Sequence, residues 1–139
     1  HFYLSYEFET EKGTPYRVYA ESSEGSFIYA SFTANRSFRF AVNEGTTFKA
    51  VATVIQILSN LWENRYEILQ DQARHPVQTD VIDRLEAFKF DIHDPTHGDP
   101  METQRAKLYL AFIRRQFPTA TVHSSGTDIY VIPQPEPNR

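Results

Sequence analysis

The chain has 139 residues, of which 40% are hydrophobic and 23% charged, with a net charge of −4 and no cysteine. That length suits one folded domain, and the balance is too apolar for a disordered chain and too charged for a membrane one. The missing cysteine excludes disulfides, thiolate zinc sites and Cys nucleophiles, and the acidic charge disfavours binding to duplex nucleic acid.

The first 43 residues alternate with period two, the signature of half-buried strands. Phe2, Leu4, Tyr6 and Phe8 share one face of the first strand, and Tyr3, Ser5, Glu7 and Glu9 share the other. A turn at Glu11–Pro15 leads to a second strand at Tyr16–Glu21. A turn at Ser22–Gly25 leads to a third at Ser26–Thr33, and a fourth is expected at Ser37–Asn43. Connections this short favour antiparallel hairpins, so a four-stranded meander with one apolar face is predicted.

The cover for that face follows. From Phe48 to Leu69 apolar residues recur at helical spacing: Phe48, Val51, Val54, Ile55, Leu58, Leu61, Trp62, Tyr66 and Leu69. They form the buried stripe of a long amphipathic helix, with Thr46 or Thr47 as its cap. Pro76 closes that region, because a residue before proline avoids helical geometry. A short helix from Thr79 or Asp80 to about Phe88 is expected, although Phe88, Phe90 and Ile92 also alternate as a strand would. Residues 91–100 read as a loop. A second helix starts with Asp99 as cap, Pro100 at the first helical position and Glu102 at the third, and Pro118 ends it. Thr119–His123 and Asp128–Ile132 then form a hairpin about Gly126. The predicted fold is α+β: an antiparallel sheet, made of the meander plus this C-terminal hairpin, packed on one face by two amphipathic helices. Residues 1–132 form the domain, and the Pro-rich residues 133–139 form an extended tail.

The segment Phe38–Ile55, a strand followed by Glu-Gly-Thr-Thr and a helix, is similar to the strand-turn-helix of ubiquitin-like β-grasp domains. The hairpin Ser-Gly-Thr-Asp-Ile-Tyr-Val-Ile-Pro resembles their last strand. The resemblance spans a small part of the chain. The additional strands and the second helix depart from that family, so no membership follows from it.

Four groups of residues could carry chemistry. Asp91, His93, Asp94, His97, Asp99 and Glu102 gather imidazole and carboxylate, which suit zinc, manganese or iron and acid–base work. Within them His93, Asp94 and His97 are the candidate metal ligands of a small metal-dependent hydrolase, of phosphoesterase type, using the loop 91–102. Pro95 prevents His93 and His97 from sharing a regular helical face, and Asp99 is already explained as a cap, so a solvated polar loop is the simpler reading. Arg65 and Arg105 each fall inside the apolar stripe of a helix. A guanidinium there must reach out to water, pair with a carboxylate such as Glu86, Asp91 or Glu102, or bind an anion. Together they are the candidate site of a small anionic ligand. Lys107, Arg114 and Arg115, with Lys89, form a basic stripe that reads as a solvated face. His123, Ser124 and Ser125 with Asp128 have the residue types of a hydrolase triad, but neighbours in one hairpin cannot easily converge as a relay.

Tyr3, Tyr19, Tyr29 and Phe32 are assigned to the sheet face away from the helices. Rings there can dock a partner or a second copy, or stack bases, although no RNA-binding sheet signature is present. No Gly-rich phosphate loop, Gly-x-Gly-x-x-Gly or His-Glu-x-x-His sequence occurs, so no cofactor is expected. No apolar run reaches the roughly 18 residues of a membrane span, and no secretory signal is present, so a soluble cytoplasmic protein is expected. The expectation for function is a non-catalytic interaction or regulatory domain, with no assigned catalytic residue, that binds a protein partner or forms a homodimer through its sheet.

Overall fold

In the computed structural model the fold is α+β, and the description covers residues 2–22, 26–36, 47–72, 75–91, 99–125 and 128–133, with backbone alone at 47, 72, 91, 99–106, 124 and 125. The strands are β1 (Tyr3–Glu9), β2 (Pro15–Ser22), β3 (Phe27–Ala34), β4 (Ala87–Asp91), β5 (Thr121–Ser125) and β6 (Asp128–Ile132). The helices are α1 (Thr47–Glu63), the single turn α2 (Arg65–Glu67), α3 (Thr79–Asp83) and α4 (Asp99–Gln116), with a π-turn at Ile68–Gln72 after α2.

The first three strands form the expected meander. Tyr3 faces Glu21 and Glu9 faces Pro15 with no bulge between them, and β2 pairs in the same unbroken way with β3. Gly13 supplies the positive φ of the first turn, at 83°. The expected fourth strand, Ser37–Asn43, lies outside the described residues. The strand that continues the sheet is β4, and it pairs in parallel with β3. The six strands run in the order β1-β2-β3-β4-β6-β5, a mixed sheet that is mostly antiparallel. The local pattern at Phe88 and Phe90 thus resolves as strand, and the short helix before it stops at Asp83.

This order makes two crossovers. The chain passes from β3 through α1 to the parallel β4. It then passes from β4 through α4 to β5, which is parallel to β4 because each is antiparallel to β6. Both crossovers step toward the same edge of the sheet. Such connections share one hand, so two steps in one direction place both helices on one face. The contacts agree: Trp62 in the last turn of α1 and Phe117 just after α4 both pack on Phe88, at 5.6 and 6.0 Å between ring centroids.

The core lies between that face and the helices. Val18, Ile28, Phe88, Ile129 and Val131 of the sheet are fully buried, as are Val51, Leu58 and Leu61 of α1 and Ile113 of α4. The helices also meet each other, Gln116 Nε2 donating to the buried Ser59 Oγ at 3.4 Å. Two members of the expected stripe are not in the core. Phe48 is 50% exposed and Tyr66 is 37% exposed. The helical register breaks at Asn64, so Tyr66 leaves the α1 face, while Phe48 lies in the first turn of α1. Phe32 is also reassigned. It alternates with Tyr29 by an odd number of residues, so strand parity puts it on the covered face, where it meets Tyr109 edge-on at 6.0 Å.

Candidate functional site

His93, Asp94 and His97 lie outside the described residues. Among the described residues no group of three or more His, Asp or Glu side chains could hold a metal ion. Arg65 and Arg105 stand at opposite ends of the helical layer. Tyr109 packs over Phe90 and Phe32 near the end of β3, while Phe117 and Trp62 pack over Phe88 near the start of β4. Both long helices therefore run the same way. Arg105 precedes Tyr109 by one turn and Arg65 follows Trp62, and twelve residues of α4 between positions 105 and 117 span about 18 Å. The backbone does not bring the two arginines to one pocket.

The guanidinium of Arg65 has a local occupation instead. Its Nη1 donates to the Trp62 carbonyl at 2.8 Å, and its carbon lies 4.2 Å from the centre of the Trp62 ring and 5.2 Å from that of Tyr66. It satisfies an orphan carbonyl of the α1 end and covers the indole, which is the snorkelling outcome. Its Nε is buried without a hydrogen-bond partner. Tyr66 in turn donates its hydroxyl to Asp83 of α3. That bond, then partial burial, raises the phenol above its ordinary 10.0, with Arg65 pulling the other way. Arg65, Trp62, Tyr66 and Asp83 thus tie the helix end to α3. The basic stripe also divides: Lys107, Arg114 and Arg115 are exposed on α4, whereas Lys89 belongs to the far face of the sheet.

That far face carries the densest set of functional side chains. One row crosses all six strands: Tyr3, Glu21, Tyr29, Lys89, Tyr130 and His123 face one another in register. Lys89 Nζ lies 5.9 Å from the centres of both neighbouring rings, Tyr29 and Tyr130, and 3.9 Å from Asp128 Oδ2. Phe27 meets Tyr130 edge-on at 5.5 Å, and His123 stacks on the same ring at 5.3 Å. At the β1 side Tyr3 is 52% exposed and 6.1 Å from Tyr19. The opposite end of the face is polar. An open depression of about 720 Å³ is lined there by Glu7, Glu9, Arg17, Tyr19, Thr33 and Arg36, with Arg17 paired to Glu7.

Chemically, this arrangement offers flat phenol rings, a cation held between two of them and a carboxylate beside it. Among the described side chains of this face no nucleophile is hydrogen-bonded to a base. Sequence reading placed Tyr3, Tyr19 and Tyr29 on this face but missed Lys89, Tyr130 and His123. Their period-two positions in β4, β5 and β6 were visible. Which strand neighbours which was not.

The chain matches no family model, no curated protein and no solved structure. None of the described helices is long and apolar enough to cross a membrane.

Proposed function

We propose that the chain is a non-catalytic interaction domain that binds a protein partner through the open face of its sheet. One observation carries this reading: the aromatic row from Tyr3 to His123 lies on the face opposite both long helices. Tyrosine-rich surfaces suit protein contacts because a rigid ring supplies contact area at low entropic cost while its hydroxyl keeps a polar partner. Lys89, set between two rings and beside Asp128, adds a fixed charge that orients a partner without dominating its affinity.

The test compares three immobilised baits: the native chain, a Lys89→Glu/Tyr130→Ser variant, and a control variant changed on the helical side at the exposed Arg114 and Arg115. Circular dichroism first establishes that all three are folded. Proteins held by the native chain and the control, and lost from the open-face variant, support the reading. Retention of every bound protein by the open-face variant contradicts it.

A further inference from the structure

The sheet has a second surface, its β1 edge, and the geometry points to a second copy of this chain as its occupant, paired antiparallel through β1 to make one continuous twelve-stranded sheet. Among the described residues no strand lies outside β1. Edge strands are ordinarily protected by shortness, proline, charged side chains, a bulge or a covering segment. β1 has seven residues, Tyr-Leu-Ser-Tyr-Glu-Phe-Glu, with no proline, lysine or bulge, and its two charges, Glu7 and Glu9, each fall opposite an uncharged residue in the pairing that follows.

The hydrogen-bond phase of β1 fixes which groups face outward. Ser22 N donates to Phe2 O and Thr10 N to Thr14 O, both at 3.0 Å, so the even-numbered residues direct their amides toward β2. The N–H and C=O groups of Tyr3, Ser5, Glu7 and Glu9 point to the open edge. In an antiparallel pair centred on Tyr6, Tyr3 faces Glu9 of the second copy and Ser5 faces its Glu7. All four outward residues then exchange two hydrogen bonds with the residue opposite.

Charge and length select this register. A shift by two in one direction sets Glu7 against Glu7, which is unfavourable for like charges directly opposite. A shift by two in the other sets Glu9 beyond the end of the facing strand. The apolar side agrees as well. Leu4, Tyr6 and Phe8 are half-buried and pack on the core. Centred pairing sets Leu4 against Phe8 and Tyr6 against Tyr6, which carries the core across the twofold axis as an isologous contact requires.

The experiment is light scattering of the native chain over a wide concentration range, with three substitutions at Ser5. Ser5→Pro deletes an outward N–H and leaves the β1–β2 ladder intact, so the fold is kept and the dimer is lost. Ser5→Lys sets an ammonium opposite Glu7 of the second copy and tightens the dimer, and Ser5→Glu sets like charges there and weakens it. Two symmetry-related pairs of ordinary cross-strand strength shift the dissociation constant by roughly twofold to thirtyfold in either direction. A native chain that stays monomeric at the highest concentration overturns the pairing. So does a dimer that persists in folded Ser5→Pro, or equal effects of Lys and Glu. Each of these outcomes leaves the open-face reading to its own bait experiment.

Discussion

On one side of the sheet Val18, Ile28, Phe88 and Ile129 are sealed beneath α1 and α4, whereas on the other, one residue along each strand, Tyr29, Lys89 and Tyr130 form a surface of rings and charge. Both sides are rich in aromatics, so hydrophobicity alone does not decide which is covered. Chain direction does. Two crossovers that step the same way put their helices on the same side, and a reversal would have clothed both. The balance of rings then differs. Phe32, Phe88, Phe90 and Phe117 pack in the covered layer with Tyr16 and Tyr109, while Tyr3, Tyr19, Tyr29 and Tyr130 outnumber Phe27 on the other, where a hydroxyl can remain solvated.

Substitutions on the two sides should therefore differ in cost. The largest effect is expected from Phe88→Ala, because Phe88 is fully buried between Trp62, Phe90 and Phe117. Truncation there should lower unfolding free energy by about 3–5 kcal/mol in a denaturant titration. Arg65→Ala comes next, at about 1–2 kcal/mol, since it removes a carbonyl bond and a ring contact at the end of α1. Arg65→Lys should recover only part of that, because an ammonium cannot lie flat on the indole. On the open side Asp128→Asn breaks the Lys89 pair and should cost no more than about 1 kcal/mol, less at high salt. Tyr3→Ser should change stability by less than about 0.5 kcal/mol. A Tyr3 or Asp128 effect as large as that of Phe88 would erase the distinction between the sides.

Tyr6 at the rim gives a pH test. Burial raises its phenol above the ordinary 10.0. The neutral ring is thus favoured in the folded state. Its contribution is complete below the unfolded value and is lost as pH rises through the folded one. Stability should decline in the alkaline range, and Tyr6→Phe should make that decline shallower in pH-dependent thermal melts. An unchanged slope would remove Tyr6 as its source.

Much of this architecture was legible in the residues. Alternation placed β1, β2, β3 and β6 and the shared face of Leu4, Tyr6 and Phe8, and the Asp99-Pro100 start with Pro118 beyond bounded α4. What alternation does not hold is the choice of neighbour. The parallel pairing of β3 with β4, and the insertion of β6 between β4 and β5, are non-local. The row that joins Tyr29 to Lys89 and Tyr130 depends on that choice and was invisible for that reason. The Arg65 contacts were hidden for a related cause: the helical pattern continues past Asn64, whereas the helix does not, and Tyr66 leaves the stripe to meet Asp83. Phe32 was misplaced by an error of parity rather than by any missing information.

Footprinting of the native chain with a fast radical or carbene reagent, read by mass spectrometry, addresses the one-sided cover directly. Tyr3 and His123 should label in the folded state, and Phe88, Tyr109 and Phe117 only after unfolding. Protection of Tyr3 and His123 together with native-state labelling of Tyr109 and Phe117 would contradict the account.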